Sequence, residues 1–397
     1  MRYQPLPAAF HAANRAKLAQ FIGEEAIAII DTADKFTRRG DFEYPFRPDS
    51  NFYYLTGIDE PEAVLVLVPG HANPQARELL FTSGTSEFVS QWEGGRHTAE
   101  TAKARSGIAN ILPLENLDFY LDRLMAQYHT IYLNAEDSVR SVMPHPALRR
   151  AQWLQEKAPV HRLKSALPIL DKLRSVKAPE EIEHIRQAVA ITKAAIAKAE
   201  AIAAAGRYED ELEAELLAEF TRQGATAAWP PIVAAGANTT IIHYAANAAQ
   251  LKARDSVLID TGAEYGYYAA DISRTFPLHG KEFTKRQQAV YDVVQAAQAA
   301  GIAATKPGKN LLEIDDIMQA VLTEGMKELG LKGDLRDYYP HMSHHLGLDI
   351  HDTGGPRQPL EPGAVITCEP GLYIKAEGIG VRLEDNVLVT KTGHEVL

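Results

Sequence analysis

The segment from Ser256 to Phe276 constrains the fold of this chain more than any other. It reads SVLIDTGAEYGYYAADISRTF, an apolar run, a glycine-containing stretch and a second run, which predicts a strand, a turn and a strand. Asp260 lies at the end of the first run and Asp271 at the start of the second. A hairpin would bring both carboxylates to one point, and hard divalent cations prefer such oxygen ligands. Either acid alone could instead be a turn or surface residue.

A histidine cluster follows farther along the chain. His341, His344, His345 and His351 lie within eleven residues, although the whole chain has only 14 histidines. Imidazole nitrogen commonly joins carboxylates at Mn, Fe, Co or Zn sites. A single histidine would more simply be a core or surface residue, but the cluster indicates a site.

Two further apolar runs contain glutamates. Glu369 follows the run VITC and precedes Pro-Gly, and the alternation of a strand places it on the face of Thr367, opposite Cys368. We therefore expect Cys368 to be packed in the core. In the run GVRLEDNVLV, Glu384 shares a face with Arg382, and a buried glutamate needs an arginine or a metal to offset its lost hydration. Arg382 alone could be that partner.

Composition limits the class of protein. With 397 residues we expect two domains, and with 46% hydrophobic and 23% charged residues both should be ordinary globular folds. The formal charge of −11 disfavours nucleic acid and anionic membranes as partners and favours a small or peptidic substrate. A single cysteine permits no internal disulfide, and neither a signal peptide nor a membrane span is apparent, so we expect a soluble cytoplasmic protein.

The chain divides into two predicted domains, 1–165 and 166–397. In the first, the runs AIAII from residue 26, AVLVLV from 63 and TIYL from 130 predict buried strands of an α/β layer structure. In the second, strand-like stretches alternate with four predicted helices. The first helix starts at Pro179 and ends with Gly206 as its C-cap. The other three run from Glu209 to Gln223, from Thr284 to Ala297 with a Thr284/Gln287 capping box, and from Leu311 to Lys327.

The motifs D-x10-D, H-x2-G-x3-H, E-P-G and R-x-E-D, read in this order, resemble the ligand set of the pita-bread metallopeptidases. That group contains methionine aminopeptidases, prolidases and aminopeptidase P. The resemblance covers residues 165–397, and the joint pattern is specific although each motif alone is weak. It implies an α+β pita-bread catalytic domain.

An additional N-terminal domain, together with the stretch DFEYPFRPDSNFYYLTG from Asp41, resembles bacterial Xaa-Pro aminopeptidase. This implies a ribonuclease-H-like α/β domain of the creatinase/aminopeptidase P type, which serves oligomerisation and substrate access in a homo-dimer or homo-tetramer. The implied activity is removal of the N-terminal residue from short peptides with proline at the second position, by a hydroxide that bridges two metals.

The resemblance also implies residue roles. Asp260 binds one metal, Asp271 and Glu384 bridge both, and His344 and Glu369 complete the second. Mn²⁺ is the expected metal, with Co, Fe or Zn as alternatives.

The remaining implied roles concern catalysis and substrate. Glu369 also acts as general base, and two histidines, His243 and His351, contact the substrate near the scissile carbonyl. The residues implied in substrate binding are Tyr373, Arg382, Asp41 for the free amino terminus, and Trp92 from a neighbouring subunit.

One departure from the family pattern affects the histidines. Relatives commonly carry a histidine four residues before the metal ligand, where this chain has Pro340, and His341 lies only three before it. His345 therefore competes with His344 as the ligand, although the spacing to Gly347 and His351 fits His344.

Three alternatives to an aminopeptidase stay open at this point. A prolidase would accept only X-Pro dipeptides. A creatinase-like enzyme would be a metal-free hydrolase, and a binding module of the same fold would have lost its ligands, but the retention of all five ligand types argues against both.

Overall fold

A computed structural model describes residues 3–92, 94–135, 144–339 and 343–397. The chain forms two compact units. One contains residues 5–173, and the other contains residues 174–397 together with Tyr3 and Gln4. The sequence boundary that we predicted at residue 165 lies before the last helix of the first unit. Among the helices of the described residues, none combines the length and apolar character needed to cross a membrane.

The N-terminal unit alternates helices and strands. Its helices are α1 (Ala8–Ile22), α2 (Ser50–Thr56), α3 (Glu87–Trp92), α4 (Ala99–Ser106), α5 (Leu117–Met125), α6 (Pro146–Lys157) and α7 (Leu167–Ser175), the last of which runs past the unit boundary. Its strands are β1 (Ala26–Asp31), β2 (Thr37–Arg39), β3 (Phe42–Glu43), β4 (Ala63–Leu67), β5 (Glu78–Thr82), β6 (Asn110–Pro113), β7 (Thr130–Leu133) and β8 (Arg162–Ser165).

Six of these strands form one mixed sheet in the order β6-β5-β4-β1-β7-β8. The three central strands pair antiparallel, whereas β6, β7 and β8 join in parallel. All residues of β1 and β4 are buried, as expected for near-continuous apolar runs in the middle of a covered sheet. The three strands predicted from AIAII, AVLVLV and TIYL are confirmed as β1, β4 and β7.

The C-terminal unit has four long helices and several short sheets. Its helices are α8 (Pro179–Ile202), α9 (Glu209–Arg222), α10 (Lys285–Ala304) and α11 (Leu311–Glu328). Its strands are β9 (Thr226–Ala227), β10 (Ile232–Ala235), β11 (Ser256–Thr261), β12 (Ala263–Tyr265), β13 (Tyr268–Ala269), β14 (Ile272–Pro277), β15 (Val365–Cys368), β16 (Gly371–Ile374), β17 (Ile379–Arg382), β18 (Asp385–Val389) and β19 (His394–Val396).

Helices α10 and α11 pack against each other and share one apolar core with the strands from β15 to β18. The predicted capping box at the start of α10 is present, because Thr284 accepts a hydrogen bond from the Gln287 amide and the Gln287 side chain accepts one from the Thr284 amide. The predicted end at Ala297 was too early. The alanine-rich sequence continues the helix to Ala304. Glycine suits position 301 because α11 packs closely there, and a Cβ would lie 2.5 Å from the Met318 sulfur.

The end of α8 also differs from the prediction. The helix stops at Ile202, and Gly206 lies beyond it in a left-handed conformation with φ of 94°. Its amide donates a hydrogen bond to the Leu251 carbonyl, so this glycine forms a loop contact and does not cap the helix.

Candidate active site

The strand pair β11–β14 brings the first two predicted ligands together. Asp260 lies opposite Ser273 in the antiparallel register, and Asp271 precedes Ser273 by two residues, so all three share one face of the sheet. Asn386 fixes the Asp271 backbone from β18, since its side chain accepts a hydrogen bond from the Asp271 amide at 3.1 Å and donates one to its carbonyl. The hairpin predicted from the sequence is present, with β12 and β13 inserted at its tip.

Two glutamates lie where neighbouring ladders are interrupted. Strand β15 pairs with β18 and β16 pairs with β17, and the break falls at Glu369-Pro370 on one side and Leu383-Glu384 on the other. Proline has no amide hydrogen to donate to a ladder, which accounts for the interruption at Pro370. The Glu384 amide instead donates to the Ser273 carbonyl at 3.1 Å, so this glutamate is tied to the strand of the two aspartates.

His344 points its imidazole at the carboxylates. Its Nε2 lies 3.2 Å from Glu369 Oε1 and 3.5 Å from Asp271 Oδ2. Its Nδ1 donates a hydrogen bond to the His345 carbonyl at 3.0 Å, which leaves Nε2 facing the carboxylates. A carboxylate oxygen of Asp271, an imidazole nitrogen of His344 and a carboxylate oxygen of Glu384 all lie within 4.8 Å of one another.

His345 occupies a different environment. The residue is buried, neither of its ring nitrogens has a hydrogen-bond partner among the described residues, and its ring packs against Gly354. Burial, with a further contribution from Lys177, lowers the pKa of His345 to about 4. Of the two competing histidines, the geometry thus places His344 among the carboxylates. His341 lies outside the described residues.

Arg382 is the buried cation of the cluster. Its guanidinium donates hydrogen bonds to Asp260, to the Tyr373 hydroxyl at 2.8 Å and to Ser273 Oγ at 2.7 Å. Ser273 Oγ in turn donates to Glu384 Oε2 at 2.8 Å. Arg382 and Glu384 are therefore joined through Ser273, and the carboxylate that Arg382 contacts directly is that of Asp260.

The crowded carboxylates have strongly shifted acidities. Burial, and next the charge of a neighbouring glutamate, raise the pKa of Asp271 and of Glu384 well above the ordinary values. Burial likewise raises the pKa of Glu369 to about 7, although His344 opposes this. Burial alone would lower the pKa of His344, but its hydrogen bond to Asp271 and the nearby carboxylates raise it to about 10. The positive charge of His344 and Arg382 is therefore too small to offset the buried carboxylates.

The donor set fits divalent cations. Asp260 Oδ1 and Glu384 Oε1 are buried and have no hydrogen-bond partner among the described residues, so each is available as a ligand atom. Four carboxylates and one imidazole are the ligand types that Mn, Fe, Co and Zn accept in proteins. Bound cations would offset the negative charge that Arg382 leaves uncompensated.

The remaining predicted residues lie on several other parts of the chain. The ring of His351 meets that of His344 edge-on, with centroids 4.4 Å apart. His243 is exposed on the loop that follows the 3₁₀ helix Gly236–Thr240, which packs against β17. Asp41 and Trp92 belong to the N-terminal unit, where Asp41 is exposed between β2 and β3 and the Trp92 residue is 73% exposed.

Three contributing residues were not singled out as site residues from the sequence. Ser273 and Asn386 contact the cluster as described, and Thr367 donates a hydrogen bond to Glu369 Oε1 at 2.8 Å. Ser273 lies two residues after Asp271, Asn386 two residues after Glu384, and Thr367 two residues before Glu369. The two-residue period of a strand places such neighbours on the same face, and that signal could have identified all three.

Comparisons with known proteins identify the family of this chain. The family model for metallopeptidase family M24 matches residues 183–391, and that for the aminopeptidase P N-terminal domain matches residues 11–132. The chain is 35% identical to the Xaa-Pro aminopeptidase of Escherichia coli, with 97% of this chain and 93% of the relative covered. It is 31% identical to human Xaa-Pro aminopeptidase 3, with 98% and 82% covered.

Solved structures give the same result. Proline aminopeptidase P II from Yersinia pestis matches with a TM-score of 0.88 and 35% identity, covering 98% of this chain and 96% of that one. The low-pH form of aminopeptidase P from E. coli matches with a TM-score of 0.90 and 32% identity, covering 99% and 95%. These matches confirm the predicted fold class of both domains, and the chain belongs to metallopeptidase family M24, as an enzyme of its Xaa-Pro aminopeptidase group.

Proposed function

We propose that this enzyme removes the N-terminal residue from peptides that carry proline at the second position, with two divalent cations, which we assign as Mn²⁺, as cofactor. The observation that carries the proposal is the convergence of four buried carboxylates, His344 and Arg382 at one point of the C-terminal unit. Buried acids assembled at such a cost are typical of a metal site.

In the proposed site the two cations would be held by Asp260, Asp271, His344, Glu369 and Glu384. The unpartnered oxygens of Asp260 and Glu384 support this assignment. When bound, the cations would lower the pKa of a water molecule toward neutrality and so make it a nucleophile.

Glu369 is the proposed general base. Its carboxylate would accept a proton from water and then deliver it to the leaving nitrogen. The hydrogen bond from Thr367 to Oε1 orients the carboxylate and leaves Oε2 for the proton.

The scissile bond before proline is a tertiary amide whose nitrogen bears no hydrogen, so the site must recognise the ring by shape. Tyr373 and Arg382, joined by a hydrogen bond, are proposed to form part of that pocket. His243 and His351 are proposed to donate hydrogen bonds to the oxyanion. Loss of one such donor typically reduces the rate by about 10²–10³-fold.

The N-terminal unit contributes further proposed contacts. Asp41 would bind the free amino terminus of the substrate. Trp92 would line the pocket of a neighbouring subunit in a homo-dimer or homo-tetramer, and its exposure leaves the indole accessible for that role.

Hydrolysis of Ala-Pro, Ala-Pro-Ala and Ala-Ala-Ala tests this function. The proposal predicts that Ala-Pro-Ala is cleaved after the first alanine and that Ala-Ala-Ala is cleaved far more slowly. Cleavage of Ala-Pro alone would indicate a prolidase, and equal rates on both tripeptides would contradict specificity for proline.

A further inference from the structure

The loop that carries His243 lies partly at the surface. After the 3₁₀ helix Gly236–Thr240 the chain is irregular up to Gln250, and Ile241 and His243 are exposed. A histidine that stabilises an oxyanion must be held within a fraction of an ångström of its working position. Something other than an apolar core must therefore fix this loop.

Glu209, the first residue of α9, supplies that attachment. Its side chain is fully buried, and its carboxylate accepts four hydrogen bonds, all from the segment 235–249. Oε1 accepts from the Ala235 amide at 2.7 Å and from Asn238 at 3.0 Å. Oε2 accepts from the Tyr244 hydroxyl and from the Ala249 amide, both at 2.8 Å.

These bonds reach both ends and the middle of the segment, and Tyr244 is the immediate neighbour of His243. Among the described residues no cation pairs with Glu209, so the four donors and the N-terminus of α9 offset the cost of burying its charge. Movement of the loop would leave a buried carboxylate without partners, which makes any other loop conformation costly.

A second attachment joins the same segment to the proposed substrate pocket. Thr239 Oγ1 accepts a hydrogen bond from the Gly380 amide at 2.8 Å, and a Cβ at Gly380 would lie 2.0 Å from the Thr239 carbonyl oxygen. Gly380 is on β17, two residues before Arg382. The loop is thus held by Glu209 on one side and by the strand of Arg382 on the other.

We infer that Glu209 is a positioning residue for His243: its carboxylate fixes the loop 235–249 so that the histidine is held where the reaction uses it. This inference rests on the proposed function, because it assigns Glu209 an effect on turnover through His243.

Glu209→Gln is the direct variant, since glutamine has the same shape but replaces one acceptor oxygen with a donor NH₂ that faces two donors of the loop. Glu211→Gln is the matched control on the same turn, because Glu211 is half-buried and its carboxylate accepts hydrogen bonds from Arg207 and the Tyr208 amide, outside the segment 235–249. We expect Glu209→Gln to lower kcat on Ala-Pro-Ala by about 10–100-fold with unchanged metal content, and Glu211→Gln to match the parent.

Double variants separate positioning from general damage. In a His243→Ala background Glu209→Gln should cause little further loss of kcat, whereas in a His351→Ala background it should cause its full loss. Equal losses in both backgrounds, or a parental kcat for Glu209→Gln, would overturn the inference. If Glu209→Gln does not fold, Tyr244→Phe removes only one of the four bonds, and the same comparison applies to it with a smaller loss.

Hydrogen exchange distinguishes this inference from the proposed function. Glu209→Gln should speed exchange of the Ala235 and Ala249 amides by at least about 10-fold, and Glu211→Gln should not. A parent inactive on every X-Pro peptide would overturn the proposed function, and exchange would then decide whether Glu209 holds the loop. Unchanged exchange in Glu209→Gln would overturn its positioning role.

Discussion

The Thr367 hydroxyl donates a hydrogen bond to Glu369 Oε1 at 2.8 Å and accepts one from the backbone amide of His344 at 3.1 Å. One hydroxyl thus orients the proposed general base and fixes the backbone of the histidine beside it. Threonine also suits this position because β-branched residues favour strands, and Thr367 lies in β15.

Replacing Thr367 with valine keeps the shape and removes both hydrogen bonds. We expect kcat on Ala-Pro-Ala to fall by roughly 10-fold or more, because Glu369 loses its orienting donor and the His344 amide is left unpaired. Steady-state kinetics measure this, with Thr367→Ser as control because it retains the hydroxyl. A valine variant as active as the serine variant would contradict the orienting role.

Arg382 should stabilise the metal-free protein. Arg382→Met leaves Asp260 and the other buried carboxylates without their permanent cation, and breaking such a pair typically costs about 3–5 kcal/mol. Urea denaturation of the metal-free protein should show this loss, and Mn²⁺ should restore part of it. Arg207→Met is the control, because Arg207 makes an exposed pair with Glu211. Equal stability of the two variants would show that Arg382 does not offset the buried charge.

Asp271→Ala should abolish both metal retention and turnover. Asp271 contributes to the one group of close ligand atoms found among the described residues, so its loss opens the proposed site for both cations. We expect turnover to fall by at least about 10³-fold, and elemental analysis to show metal loss. Asp316→Ala, an exposed change on α11, should retain both properties. Full activity of Asp271→Ala after metal removal would exclude the two-metal hypothesis.

His11 predicts a pH dependence of stability in the N-terminal unit. Burial, with smaller effects from Arg15 and Arg105, lowers its pKa to about 4, although a hydrogen bond to the Tyr54 carbonyl opposes this. Above the ordinary pKa of 6.5 the histidine is neutral in both states and contributes nothing. As the pH falls from 6.5 to 4 only the unfolded chain binds the proton, so stability is lost, by at most about 3 kcal/mol.

His11→Gln should therefore reduce the fall in the free energy of unfolding between pH 7 and pH 5. Urea denaturation at several pH values measures it. Gln127→Asn, an exposed change of an uncharged residue in the same unit, should leave the parental slope unchanged. A His11 variant with the parental slope would show that this group does not titrate as described.

The sequence was most informative where its periodicity was simple. Strands β1, β4 and β7 and the capping box of α10 follow directly from apolar runs and from the Thr284/Gln287 pair. The placement of Thr367 and Glu369 on one face, with Cys368 buried on the other, also follows from strand alternation. Burial raises the pKa of Cys368 to about 12, as expected for a packed thiol.

Contacts between distant segments could not be predicted in this way. Arg382 pairs with Asp260 rather than with Glu384, which is only two residues away in the chain, and this choice depends on the register between sheets. Glu209 reads in the sequence as a helix-start acid, and only the folded loop shows that its carboxylate collects four donors from residues 235–249. The choice between His344 and His345 likewise required the direction of each ring.

Titration of Mn²⁺ into chelated enzyme, with hydrolysis of Ala-Pro-Ala followed at each point, tests the central claim most directly. The account predicts no turnover without metal and full recovery as two Mn²⁺ bind per chain. Full turnover in the chelated enzyme, or Mn²⁺ binding that leaves Ala-Pro-Ala uncleaved, would contradict it.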